Sequence, residues 1–119
     1  MGMTAIRARL TNVTDARRET DVDMTVDSGA IYSVVPSSIL EQLGVAPEST
    51  QTFWLADGRR VKRRVGHVRF EIQGSTGISK VIFGRVGDAS LLGVLTLEAL
   101  GLSLDPLRRT LRPLKLMIA

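Results

Sequence analysis

One short segment of the chain combines residue types that could carry out acid–base chemistry. The segment 27–30 reads Asp-Ser-Gly-Ala and directly follows an alternating, strand-like run that ends at Val26. Because Asp, Ser and Gly favour turns, the strand should end here and place the Asp27 carboxylate at the mouth of a turn, aimed into a cleft. The same residues also fit a plain surface Asx-turn, so the rest of the chain must decide between the two interpretations.

The composition excludes several kinds of site. The 119 residues contain no cysteine, which removes disulfides, thiol nucleophiles and cysteine-based zinc sites. His67 is the only histidine, so one chain cannot form a multi-histidine metal site, and a Ser-His-Asp triad would depend on this residue alone. We therefore expect neither a metal nor a cofactor.

Length and composition indicate one domain over residues 1–119, with residues 1–4 disordered or left over from cloning. Aromatic residues make up only 4% of the chain, so its core must consist of Val, Leu and Ile, which favours sheet over a helix bundle. No apolar run approaches the length of a membrane span. We expect a cytoplasmic protein with no membrane partner.

The net charge of +4 permits anionic partners. Part of the excess lies in two clusters, Arg59–Arg64 and Arg108–Arg112, without interleaved aromatic residues or a nucleic-acid-binding motif. Solvated hairpin faces are therefore the favoured interpretation, and nucleic acid is the less favoured partner. A smaller possibility is that the first cluster selects acidic peptides.

The first half of the chain reads as strands that deliver Asp27. Residues 5–13 and 21–26 alternate as strands on either side of a polar turn at 14–20. A strand at 31–35 should end at Pro36. A short helix should follow, capped by Ser37 or Ser38 with Glu41 in a capping box, and should end at Gly44.

The second half begins with a hairpin. Asp57-Gly58 between the runs 52–56 and 60–72 is a strong hairpin signal, with a bulge expected near Gly66. Strands at 78–86 and 90–92 follow, and the latter ends at Gly93. Thr96 should cap a helix that stops at Gly101, a strand resumes at 110–112, and an apolar tail at 114–119 needs a partner.

Two segments share the pattern Leu-Glu-x-Leu-Gly-aliphatic, at 40–45 and at 97–102. Each lies a similar short distance after a strand and a glycine, at Gly29 and at Gly93. This parallel placement indicates two related halves, each made of a strand, a glycine turn and a helix.

Together these motifs resemble the retropepsin-like aspartic proteases. The family signature, two apolar positions and then Asp-Thr/Ser-Gly-Ala/Ser, corresponds to residues 25–30, and a second family mark, apolar-apolar-Gly before a helix, corresponds to 91–101. A hairpin lies between them, where the family has its substrate-covering flap. Retroviral members often carry an Asp and an Arg at the positions of Ile31 and Val94, and both charges are absent here.

The resemblance implies a mostly β, single-domain acid-protease barrel with one or two short helices that forms a C2 homodimer. Asp27 would be the catalytic carboxylate, supported by Ser28, Gly29 and Ala30, with Ser28 bonding across the dimer axis. Leu92 and Gly93 would pack beneath this loop. Ala56, Asp57, Gly58 and Leu92 would contact substrate as flap or pocket residues, and the partner would be a peptide or protein substrate.

The chemistry requires two carboxylates that share one proton, one acting as general base on a water and the other as acid. Since the chain offers one signature aspartate, two copies of Asp27 must meet across a dimer axis. The predicted function is thus an aspartic endopeptidase with an Asp27/Asp27′ dyad. The alternatives are a catalytically weak peptide-binding or dimerisation module, and a basic nucleic-acid-associated protein.

Four further residues have simpler expected roles. Trp54 should pack in the core or a dimer interface, and Tyr32 should be a half-buried strand residue. His67 and Glu98 should lie at the surface.

Overall fold

A computed structural model describes residues 4–115 and residue 118. In this part of the chain nine strands and two short helices follow one another. Their bounds are β1 Thr4–Thr11, β2 Glu19–Val26, β3 Ser33–Pro36, α1 Ser37–Gln42, β4 Ser49–Trp54, β5 Arg60–Ile72, β6 Ser75–Gly84, β7 Leu91–Leu92, α2 Val94–Ala99, β8 Leu102–Asp105 and β9 Thr110–Pro113.

Within the described residues, seven strands form one sheet in the order β1-β2-β7-β3-β6-β5-β4. β1 pairs with β5 as well as β2, which closes most of the sheet on itself and leaves β4 beyond the closure. β8 and β9 form a separate two-stranded sheet. The predicted mostly β architecture with short helices is confirmed.

The β1–β2 hairpin shows why the alternating pattern folds as it does. Side chains of alternate residues are buried on the inner face, while Arg7 and Arg9 on the outer face pair with Asp23 and Asp21 across the hairpin. This division into an apolar and a charged face fixes the register, since a slip of one residue would exchange the faces. The buried residues are Ala8, Leu10, Val22, Met24 and Val26.

The central hairpins agree with the predicted strands except in detail. β5 pairs with β6 in an uninterrupted register through Gly66, so the predicted bulge is wrong. A Cβ atom at Gly66 would lie 2.9 Å from the Ala46 carbonyl oxygen, so this buried position is closely packed and leaves no room for a side chain. Gln73 and Gly74, both with positive φ, make the tight turn, and β6 therefore begins at Ser75.

The two helices end in the same way, as the repeated sequence pattern predicts. Gly44 and Gly101 follow α1 and α2 with φ of 72° and 70°, a left-handed conformation that glycine adopts without strain. Corresponding apolar positions of the two repeats are buried in each case. They are Leu40, Leu43 and Val45 in the first repeat, and Leu97, Leu100 and Leu102 in the second.

Both predicted helix caps are wrong. α1 has Pro36 at its N-cap position with no side-chain cap, and the Ser37 hydroxyl donates instead to the Gly84 carbonyl at 2.8 Å. α2 begins at Val94, two residues before Thr96, whose side chain is completely buried. The hydroxyls of Ser37 and Thr96, which the local sequence predicts as helix caps, therefore form hydrogen bonds with distant parts of the chain instead.

The chain ends fall partly outside the described residues. Thr4 belongs to β1, while residues 1–3 lie outside the described part, as does most of the predicted apolar tail at 114–119. The Leu114 amide donates to the Gly101 carbonyl at 2.7 Å. Neither of the helices in the described residues has the length and hydrophobicity needed to cross a bilayer.

Candidate active site

Asp27 lies immediately beyond the end of β2 and is half-buried. Its Oδ1 accepts a hydrogen bond from the Gly29 amide at 2.9 Å, and its carbonyl accepts one from the Ala30 amide at 3.0 Å. This is the geometry of an Asx-turn, so both interpretations of the sequence describe part of the loop. The turn fixes the direction of the carboxylate while Ser28 and Gly29 remain exposed.

β7 supports the loop from the neighbouring position in the sheet. Its two residues pair in parallel with Thr25 and Val26, the last residues before Asp27. The Thr25 amide donates to the Ser90 carbonyl at 3.0 Å, and the Asp27 amide donates to the Leu92 carbonyl at 3.4 Å. The strand that presents the carboxylate is thus paired up to the carboxylate-bearing residue itself.

Gly93 is in close contact with the far end of the same loop. A Cβ atom at Gly93 would lie 2.5 Å from the Ile31 carbonyl oxygen and 2.6 Å from that of Tyr32. The next two amides, of Val94 and Leu95, donate to the carbonyls of Ala30 and Ile31 at 2.9 and 3.1 Å. The first turn of α2 is therefore bonded directly to the Asp27 loop.

Three buried hydroxyls connect this contact to the sheet. The Gly93 amide donates to Ser33 Oγ at 3.0 Å, Ser33 Oγ lies 2.5 Å from Thr96 Oγ1, and Thr96 Oγ1 lies 3.0 Å from Ser79 Oγ. Since Ser33 Oγ accepts the amide hydrogen, its own hydrogen is available for Thr96. These residues were not identified as functional from sequence, because residues 33, 79 and 96 come together only through strand pairing and helix packing.

The predicted flap residues Ala56, Asp57 and Gly58 lie at the exposed tip of the β4–β5 hairpin. The Gly58 amide donates to the Leu55 carbonyl at 2.9 Å, and Gly58 has a φ of 89°. Asp57 accepts hydrogen bonds from the backbone and side chain of Arg59, and these bonds hold the pKa of its carboxyl below the usual value. The described bonds of the tip are local.

An apolar cleft of about 170 Å³ lies between this hairpin and the strands beside Asp27. Leu91 lines the cleft, whereas Leu92 is completely buried in the core. Of these two residues Leu91 therefore faces the cleft and Leu92 faces the core, because neighbouring residues of a strand point to opposite faces. The other lining residues are Val34, Phe53, Leu55, Val61, Arg63, Ile82, Asp88 and Ala89.

Arg63 and Asp88 form the charged part of the cleft wall. Arg63 Nε and Nη2 donate to the two carboxylate oxygens of Asp88 at 2.8 and 3.1 Å, and Asp88 also accepts the Arg85 amide at 2.8 Å. The hydrogen bond from Arg63 lowers the pKa of Asp88, and the same bond raises the pKa of Arg63. This pair ties the hairpin to the loop that precedes β7.

The remaining singled-out residues have mixed outcomes. Tyr32 is half-buried as predicted, but it directly precedes β3 and is not a strand residue. Its ring meets Phe53 edge-on at 5.5 Å, and His67 and Glu98 are exposed, as predicted. Trp54 is 71% exposed, which rules out a place in the core of the subunit, and its place in a dimer interface stays a prediction. No group of three or more potential metal ligands occurs among residues 4–115 and 118.

Comparisons with known proteins support the fold and go no further. No protein-family model matches the chain, and a search of curated proteins finds no significant match. Among solved structures, the chain is similar to the solution structure of simian foamy virus (mac) protease, with a TM-score of 0.56 and 22% identity over 79% of this chain and 91% of the viral chain. The predicted retropepsin-like fold is thereby confirmed.

Proposed function

We propose that this protein is an aspartic peptide hydrolase that is active as a homodimer, with one Asp27 from each subunit in the catalytic centre. The observation that carries the proposal is the position of Asp27, which is half-buried directly after a strand end that is paired on both sides, by β1 and by β7. Leu91 of β7 in turn lines the apolar cleft under the hairpin. A surface Asx-turn without function needs neither the support of β7 nor the cleft.

The homodimer follows from a count of carboxylates. The Asp-Ser-Gly segment occurs once in the sequence, and the mechanism needs two carboxylates that share a proton. A second copy related by a two-fold axis supplies the missing one, because a C2 interface brings the same residues of both subunits together.

The surface beside Ser28 suits such an interface. A largely apolar groove of about 290 Å³ runs from Ser28 along α2 to β8. Ile31 and Leu95, which are joined by a backbone hydrogen bond, are also exposed. Apolar surface next to an incomplete site is the surface that a second subunit would cover. The groove is lined by Ser28, Val94, Leu97, Glu98, Leu102, Ser103, Leu104 and Leu114.

In the proposed reaction, one Asp27 carboxylate takes a proton from the attacking water while the protonated Asp27 of the other subunit donates to the peptide carbonyl oxygen. Ser28 would hold the two loops in register. Gly29 and Ala30 leave room for substrate backbone, and the hairpin tip with Ala56, Asp57 and Gly58 would cover the substrate. An apolar substrate side chain would enter the cleft at Leu91.

The decisive experiment compares Asp27→Asn with the wild type on a peptide library and on denatured casein. The variant should lose activity by a factor on the order of 10³, because the amide can act neither as base nor as acid. Asp23→Asn is the matched control, since Asp23 lies on the outer face of the same strand and pairs with Arg7. Cleavage that survives Asp27→Asn would overturn the proposal.

Two further measurements sharpen the test. Activity should fall as pH rises, because one carboxyl of the pair must stay protonated. The rate should also rise with protein concentration in parallel with dimer formation, which sedimentation measures. Peptide capture without turnover at any pH would indicate the peptide-binding module instead. An active monomer would contradict the shared site.

A further inference from the structure

The outer face of the β4–β5 hairpin carries a row of positive side chains. Arg60, Lys62 and Arg64 alternate along β5, so they point to one side of the sheet at intervals of roughly 7 Å. Arg60 and Lys62 are exposed, and neither forms an ion pair with a carboxylate of the described residues. Arg59 and Arg64 are partly neutralised, by Asp57 and Glu41.

Strand pairing places the only tryptophan of the chain beside this row. Trp54 is directly opposite Arg60, and Thr52 is opposite Lys62, on the same outer face. The Arg60 guanidinium lies 5.4 Å from the centre of the Trp54 ring, and Trp54 is 71% exposed. The basic cluster has no interleaved aromatic residue in the sequence because its aromatic neighbour comes from the preceding strand.

A shallow depression of about 320 Å³ lies between these groups, lined by Thr52, Arg60, Val61 and Lys62. Its lining shares Val61 alone with the apolar cleft, and Arg60 and Lys62 alternate along β5 with Val61 and Arg63 of the cleft wall. The basic face and the candidate active site are therefore separate surfaces of one hairpin.

We propose that this outer face binds single-stranded nucleic acid, with phosphates on Arg60 and Lys62 and a base stacked on Trp54. Exposed cations that lack carboxylate partners suit a chain of phosphates, and an exposed indole suits a base, because every base has a π-face. An acidic peptide would use the cations but leaves the exposed indole unexplained. The inference is independent of the proposed proteolytic function.

Trp54 makes the binding directly measurable. Titration of the protein with oligothymidylate of about 12 nucleotides should quench tryptophan emission in a saturable way, and the affinity should fall steeply with salt. Asp27→Asn should bind as well as the wild type, so loss of proteolysis and loss of binding are separate outcomes.

Two variants test the residues by anisotropy of a labelled oligothymidylate. Arg60→Gln/Lys62→Gln should lower the slope of log affinity against log salt by about 1.4, since each single-strand phosphate contact contributes about 0.7. Arg108→Gln/Arg109→Gln is the matched control, because it removes the same charge from an exposed loop elsewhere. Equal effects of the two double variants would overturn the proposal.

Trp54→Ala should weaken binding at least about fivefold, and Trp54→Phe should restore most of the affinity because a stacking surface returns. Circular dichroism and thermal melting check that both variants are folded. Absence of saturable binding in dilute buffer would refute the proposal. Tighter binding of oligoglutamate than of oligothymidylate at equal charge would also refute it, in favour of an acidic protein partner.

Discussion

The Asp27 loop and the tip of the β4–β5 hairpin are both short turns that contain an aspartate and a glycine, and they are held in opposite ways. The Asp27 loop is bonded to β7, to the first turn of α2 and, through Gly93, to three buried hydroxyls. The tip has bonds only within residues 55–59 among the contacts described. The Asp27 loop is therefore held by distant parts of the chain, and the hairpin tip is held by its own residues.

This difference matches the tasks that the two turns would have. A carboxylate that exchanges protons with substrate must be oriented before substrate arrives, and many contacts from packed elements provide that orientation. A tip that covers a substrate must move, and a segment with few tertiary contacts can do so at low cost in free energy. Changes at the first turn should therefore affect the whole fold, and changes at the second should remain local.

The largest effect is expected at Gly93. Gly93→Ala would place a Cβ atom 2.5 Å from backbone atoms of Ile31 and Tyr32. These atoms cannot move away without displacing the Asp27 loop. We expect a loss of about 3 kcal/mol in the free energy of unfolding, measured by urea denaturation. In Gly58→Ala at the tip, the new Cβ atom meets no atom within 4 Å. The variant should lose only roughly 1 kcal/mol in the free energy of unfolding, because alanine is strained at the positive φ of this position. Equal losses would break the comparison.

An intermediate effect is expected at Thr96. Thr96→Val keeps the shape of the side chain but leaves the buried hydroxyls of Ser33 and Ser79 without their partner, at a cost of about 2 kcal/mol. Thr96→Ser restores the hydroxyl and should recover most of this loss in the same denaturation experiment. If the valine and serine variants are equally stable, the hydroxyls do not support the Asp27 loop.

The smallest effect is expected at Asp88, which joins the hairpin to the loop before β7. Asp88→Asn should destabilise the protein by about 1 kcal/mol at neutral pH, because it weakens two hydrogen bonds from Arg63. The pKa of Asp88 is lowered by folding, so the carboxylate stabilises the fold above the unfolded-state pKa of about 3.9 and loses this effect as pH falls through the lower, folded value. Thermal melts of the variant and the wild type should therefore converge in acid.

Asp57→Asn is the matched control for Asp88→Asn, since Asp57 also pairs with an arginine but at the exposed tip. Its melting temperature should equal that of the wild type at neutral pH. A shift as large as that of Asp88→Asn would show that the tip is part of the cooperative fold.

Most of the architecture could be predicted from sequence because its signals are local. The alternation of apolar and polar residues predicted β1 and β2, the Asp-Gly pair predicted the β4–β5 hairpin, and the repeated Leu-Glu-x-Leu-Gly pattern predicted both helix ends. The errors in the helix caps occurred where a distant partner competes with a local one. Ser37 and Thr96 look like helix caps, but one bonds the end of β6 and the other lies in a buried hydroxyl cluster.

The candidate site divides in the same way. The Asp27 segment was identified from its order of residue types, while Leu91, Arg63 and Asp88 were not identified as cleft residues. Leu91 and Leu92 are equally apolar in sequence, and only pairing with β2 and β3 decides which of them faces the cleft. Likewise, strand pairing alone puts Trp54 beside Arg60.

The sequence by itself determined most of the elements, the Asp-Ser-Gly turn and the absence of cysteine chemistry, because these depend on residue types and on spacings of a few positions. Tertiary structure alone decided which side chains share the cleft, which hydroxyls support Gly93 and which cations lie beside the indole. Such contacts join residues separated by up to 63 positions, as Ser33 and Thr96 are, and only the pairing of β3 with β6 and β7 and the packing of α2 bring them within bonding distance.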